Sequence, residues 1–183
     1  MDNWNYPETW KVGDTLDADT LNRRIRDQNK VLLRRPLTVA THSSDQNVPT
    51  SGHGNYPIQF DTIIQDDDGM VLEDTPVTDF YAQREGCYQV WANVEYINPS
   101  GAATHMLSLS INGTTLRYRM QHRMGGWGTA ASDAFANSVS GIIYLNVGEF
   151  LQVQAWSSLT ASNLVIKSAN NCPRVAMMWL GPN

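Results

Sequence analysis

The residues best equipped to meet another molecule lie between positions 117 and 132. Arg117, Arg119, His122 and Arg123 bring cations and hydrogen-bond donors, and Trp127 stands among Gly125, Gly126 and Gly128. An indole ringed by glycines is a poor element of a dense core. It can lie flat on a sugar ring while Arg and His donate to hydroxyls or anionic groups. This makes 117–132 the candidate surface-binding loop. The same pattern also fits a long connection with Trp127 tucked onto its own domain, or a contact with a neighbouring protein.

Other reactive residue types are present without the spacing that chemistry demands. Asp66-Asp67-Asp68-Gly69 supplies oxygens suited to a hard cation. It lacks the alternating ligands and terminal Glu of a calcium loop, so a solvated acidic turn is expected and no metal. The four histidines (His42, His53, His105 and His122) are scattered and have no obvious carboxylate or nucleophile partner. No Gly-x-Ser-x-Gly elbow, His-Glu-x-x-His, P-loop or dinucleotide fingerprint occurs. The expectation is no catalytic residues and no cofactor. Two cysteines are too few for a disulfide scaffold and lack metal-pair spacing.

The 183 residues fit one domain, or one domain with a small appendage. With 42% apolar and 17% charged residues the chain is of globular type. A net charge of −5 argues against a general nucleic-acid binder, which needs a basic face. No apolar run approaches the ~20 residues of a spanning helix, so no membrane insertion is expected. Residues 1–11 are polar and aromatic with no apolar core segment, so no secretory signal is expected.

Charge and periodicity divide the chain into two parts. Residues 1–36 hold seven basic and six acidic residues, a net of +1, whereas the remainder has a net of −6. The strong helix candidate covers 18–34, with Asp17 as N-cap and Lys30, Arg34 and Arg35 at its cationic end. Pro36 stops it. Leu21, Ile25, Gln28 and Leu32 form one stripe at 4-3-4 spacing. That stripe either packs on its own domain or anchors the chain, by docking elsewhere or bundling with copies of itself. Trp4, Tyr6 and Trp10 suit docking into apolar pockets, or packing back on the β-domain.

From residue 37 onward the pattern is β. The expected organisation is an arm and helix over 1–36, a linker over 37–54 and a β-domain over 55–183. Tyr88, Val90, Ala92, Val94 and Tyr96 alternate through a long strand, which sends Trp91 to the opposite face. Val139, Ile143 and Leu145 share one face of another, which sends Ile142 and Tyr144 outward. Leu107, Leu109 and Ile111 lead into Asn112-Gly113, the favoured pair for a two-residue hairpin, so 114–118 should return beside them. Further strands are expected at 56–61, 151–155, 164–166 and 175–180. This many strands in one domain predicts a sandwich or jelly roll.

The order of motifs is informative. Ile58-x-Phe60-Asp61, Gly69-Met70, Phe80 and Gly86-x-Tyr88-x-Val90 come in turn. Leu107-x-Leu109-x-Ile111-Asn112-Gly113 and Leu145-x-x-Gly148-Glu149-x-Leu151-x-Val153 follow. The set resembles the C1q/TNF-like family, across about residues 55–180. Glu149 stands where the family uses Asp, Val90 stands where an aromatic is common, and the last strand lacks the family's Phe-x-Gly-Phe pattern. The resemblance implies an antiparallel jelly-roll sandwich that forms a homotrimer through the exposed face of its inner sheet. Trp91, Ile142 and Tyr144 would meet the neighbouring subunits. It also makes the strands that begin near Cys87 and Cys172 antiparallel neighbours, so no disulfide is expected.

The N-terminal run Thr9-Trp10-x-x-Gly13-x-x-Leu16-x-Ala18-x-x-Leu21-Asn22-x-x-Ile25-Arg26-Asp27 resembles the leader of bacteriophage minor tail, fibre and decoration proteins. This implies a virion protein assembled in the bacterial cytoplasm and anchored by Trp4, Tyr6, Trp10, Leu21, Ile25 and Leu32. The implied partners are other copies of the chain, other virion proteins, and a host surface glycan or protein. A fibre-tip adhesin, a capsid decoration protein and a collar or baseplate block all fit these features. A soluble TNF-like ligand is the reading outside phage biology.

Overall fold

The computed structural model describes residues 17–19, 22, 25, 35–49, 55–71, 76–97, 103–124, 134–158, 164–168 and 173–182, with backbone alone at 103, 115–124, 134, 135 and 164. Two compact units meet in sequence at residue 36: Met1–Arg35 and Pro36–Asn183. In the first, Ala18, Asp19, Asn22 and Ile25 are helical, and Ile25 is 49% exposed. Trp4, Tyr6, Trp10, Leu21 and Leu32 lie outside the described residues.

The second unit is built of antiparallel strands. They are β1 (Leu37–Thr41), β2 (Gln46–Val48), β3 (Tyr56–Pro57), β4 (Thr62–Asp66), β5 (Asp79–Tyr81) and β6 (Gly86–Ile97). Then come β7 (Ala103–Ile111), β8 (Thr115–Met124), β9 (Ala134–Leu145), β10 (Phe150–Ser157), β11 (Leu164–Lys167) and β12 (Arg174–Gly181). Among the described residues one sheet runs β2-β11-β6-β12-β1-β4, with β9 along the other edge of β6. The second runs β3-β10-β7-β8, with β5 also on β10.

Alternation explains the longest strand. Tyr88, Val90, Ala92, Val94 and Tyr96 of β6 are all 0% exposed, because period two sends each to the core face. Leu107 and Leu109 of β7, Leu151, Val153 and Ala155 of β10, and Val175 and Met177 of β12 join them in the core. Phe60 and Phe80 close the core edge-on, with ring centroids 5.6 Å apart. Strand β7 is buried on both faces, since Ser108 and Ser110 are buried as well. Ser108 donates to Gln154 O at 3.3 Å, and Gln154 Nε2 donates to Gly113 O at 3.2 Å, which satisfies part of that polar row.

Three expectations change. Of the expected linker 37–54, residues 37–41 and 46–48 are strands β1 and β2 of the first sheet, and 50–54 lie outside the described residues. Strand β1 lies between β12 and β4, with Val39 opposite Ala176. Its alternation is short and its burial includes Thr38 and Ala40, so the apolar pattern is weak. The strand expected over 56–61 is shorter: Tyr56 and Pro57 pair with β10, and Ile58 N still donates to Val153 O at 2.8 Å. Phe60 instead bridges Val77. The Asn112-Gly113 hairpin has three connecting residues, not two. Asn112 and Gly113 both have positive φ (53° and 71°), Thr114 N donates to Ile111 O, and pairing resumes at Ile111–Thr115.

The antiparallel register fixes two ends. Pro36 O accepts Trp179 N at 3.0 Å, so residues 1–35 join the β-domain where β12 finishes. Gly86, Leu145 and the 112–114 turn lie toward that end. At the opposite, far end β1 leads to β2, β6 and β8 end, and β7 and β9 begin.

Candidate functional site

The exposed face of the first sheet carries an aromatic and aliphatic patch. Strand β9 pairs with β6 over its whole length, setting Ile142 opposite Gln89, Tyr144 opposite Cys87 and Trp91 opposite Ser140. Trp91 and Ile142 are therefore diagonal neighbours on one face, about 7–8 Å apart at their backbones. Their exposures are 39% and 55%, and Tyr144 is 39% exposed. The Tyr144 hydroxyl donates to the Glu85 carboxylate, which fixes one edge of the patch. On the other side of Trp91, β12 brings Ala176 opposite it and Met178 diagonal to it. Sequence reading missed Ala176 and Met178 as flanks of Trp91. Their alternation with Val175 and Met177 was legible, but the pairing of β12 with β6 at this register was not.

The arginine-rich segment is placed differently from its expected loop. Strand β8 continues to Met124, so Arg117, Arg119, His122 and Arg123 stand on a strand. The pairing skips Arg117, which is the extra residue of a bulge between Leu116 and Tyr118. Arg119 is opposite Ser108, Arg123 opposite Thr104 and His122 opposite His105. Arg119 and Arg123 thus share one parity along the strand, while His122 has the other. A run of Arg and His suits an edge strand, but its charge masked the alternation of Tyr118, Met120 and His122. Trp127 lies outside the described residues.

The acidic run is held by protein donors. Asp66 accepts from Thr38 Oγ1 at 2.7 Å and from the amides of Met70 and Val71 at 2.9 and 3.1 Å. Asp68 makes a bidentate pair with Arg84, at 2.8 and 2.7 Å, and Asp67 accepts from Gln65 Nε2. Arg84 also lies over the Trp179 ring, 5.5 Å from its centroid. These carboxylates brace the loop that leads from β4 past Gly69. Among the described residues no group of three or more His, Cys, Asp or Glu forms a metal cluster.

Cys87 is a free thiol opposite Gly181 on β12. Arg174 pairs with Asn93, six residues further along β6, which is about 20 Å at the usual rise of a strand. The antiparallel pairing of β6 and β12 is the one the resemblance implies, and Cys172 itself lies outside the described residues.

No protein-family model matches the chain, and no curated protein matches it. Solved structures do. Murine APRIL at pH 5.0 superposes with a TM-score of 0.57 at 9% identity, covering 80% of this chain and 100% of that one. The globular domain of zebrafish complement 1qA gives 0.55 at 10%, covering 81% and 99%. Eiger TNF from S. frugiperda gives 0.53 at 14%, covering 81% and 94%. At these identities the likeness shows the fold: the β-domain is a C1q/TNF-like jelly roll.

Proposed function

We propose that the chain is a non-enzymatic structural protein of a bacteriophage virion. It forms a homotrimer, is fixed to the particle through residues 1–36, and presents the far end of its jelly roll to the host surface from a minor tail or fibre-tip position. The patch of Trp91, Ile142 and Tyr144 carries this reading. It lies on the sheet face that the C1q/TNF-like resemblance assigns to subunit contacts, and burying it would remove exposed apolar area from water. The leader-like run over residues 9–27 supports attachment to a virion. The β-domain begins beside the end of β12, and in this reading its opposite end meets the host. Three equivalent weak sites on one trimer would act together, as linked sites raise the effective concentration of each.

Gold-labelled antibody on intact particles tests the position. Label at the tail tip is the expected outcome. Label spread over the head would instead make the chain a capsid decoration protein, and label at the neck or baseplate a collar or baseplate block. Purified particles that lack the protein by mass spectrometry would sink the virion reading.

A further inference from the structure

We propose that the far end of the β-domain carries a binding cleft for a neutral saccharide, formed where the outer edges of the two sheets meet. Strand β2 ends one sheet and β3 lies at an edge of the other. Between them opens a cleft of about 430 Å³ whose lining includes Asp45, Gln46, Asn47, Tyr56, Pro57 and Gln59. Ligand pockets fall at roughly 300–1,000 Å³, so this space suits one or two sugar rings. The lining mixes an aromatic ring and prolines with amides and a carboxylate. That is the composition a sugar calls for, with apolar C–H faces and a rim of hydroxyls.

The walls are held before any ligand arrives. The Gln46 amide spans the two sheets, donating from Nε2 to Pro57 O at 3.2 Å and accepting from Gln59 N at 3.0 Å. Asp45 accepts from Lys167 Nζ at 2.6 Å and from Ser168 N at 3.1 Å. Below them Asp61 accepts from Ser43 N and Oγ at 2.8 and 2.7 Å, with His42 Nδ1 at 3.4 Å. Preorganisation of this kind lowers the ordering cost of binding. Charge selects the ligand. Lys167 is turned to Asp45 and His42 to Asp61, while the Asp45 carboxylate borders the space. Among the described lining residues no cation is left to offset that carboxylate for an anionic sugar or phosphate, whereas a neutral sugar offers it hydroxyl donors. The cleft deepens the surface-contact reading and rests on it for the source of the sugar, a glycan of the host envelope.

The test uses the full-length protein on an immobilised panel of neutral oligosaccharides and their sialylated or uronic-acid counterparts. Asn47→Ala and Tyr56→Ala are compared with the wild type. Asn47 is exposed and takes no part in the clamp, so its variant keeps the fold even if Tyr56→Ala does not. The expected result is binding to neutral members, weakened about fivefold or more in Asn47→Ala by loss of a hydrogen-bonding side chain. Binding to acidic members alone, binding unchanged in Asn47→Ala, or binding to no member would overturn the cleft. Adsorption of labelled protein to host cells separates the two ideas. Adsorption that persists in Asn47→Ala and Tyr56→Ala keeps the surface-contact reading and removes the cleft. Panel binding without cell adsorption does the reverse.

Discussion

Gly86 has no room for a side chain. Its φ is +144°, and a Cβ there would overlap Gly181 O and sit 2.8 Å from Trp179 Nε1. Gly86→Ala should therefore cost about 3 kcal/mol, from strain and overpacking together, read as a lower midpoint in urea. An unchanged midpoint would mean that the β6–β12 junction yields more easily than its geometry implies. At this scale the sequence was most legible where burial follows alternation. Trp91, Ile142 and Tyr144 are exposed because their neighbours at odd spacing fill the core, and that relation is local. Ser108, Ser110 and Gln154 show the opposite. Their polarity points outward, yet they are buried, and a second covered face cannot be inferred from period two. The buried phenol of Tyr96, stacked on His105 at 5.9 Å, has its pKa pushed up by desolvation.

Short elements depend on side-chain ties in place of long ladders. Strand β2 has three residues and β3 two, and the Gln46 amide joins them as a peptide group would. Gln46→Ala should lower stability by about 1–2 kcal/mol and speed amide exchange at Gln59, measured by hydrogen exchange. Two carboxylates tie the same region. Lys167 and Ser168 hold the Asp45 carboxyl below its ordinary value. Burial pushes Asp61 up, but hydrogen bonds from Ser43 and Thr62 and the nearby His42 outweigh it, so its net shift is also downward. A lowered carboxylate stabilises the fold above its unfolded pKa and loses that contribution as pH falls through the folded one. Stability should accordingly decline below about pH 4, and Asp45→Asn or Asp61→Asn should flatten that decline in pH-dependent melts. Long strands such as β6 and β9 announced themselves in the sequence. Strand β1 did not, because five residues containing Thr38 and Ala40 carry too little pattern, and only the start of β8 was legible, after Asn112-Gly113, while its arginines hid the rest. The turns were partly legible. Glu149 accepts from Asn146 N at 2.8 Å and from Asn112 Nδ2 at 3.3 Å, so it serves both its own turn and the neighbouring hairpin.

For the whole molecule, the trimer reading predicts about three times the 20.4 kDa chain mass by light scattering at micromolar concentration. Ile142→Arg should release folded monomers, since a charge on the patch would be desolvated without a partner. A variant that stays trimeric would move the interface elsewhere. Removing residues 1–35 should leave a folded β-domain that no longer joins particles, judged by circular dichroism and particle incorporation. The cut belongs before Pro36 because its carbonyl closes on Trp179 N. The same closure has a mechanical consequence. A pull that enters at Pro36 and is resisted at the far end runs along β1, which is laced on both sides to β12 and β4. Ladder hydrogen bonds lie across the strands, so this load shears them together instead of unzipping them singly. A head tethered in this way would meet tension in its strongest direction.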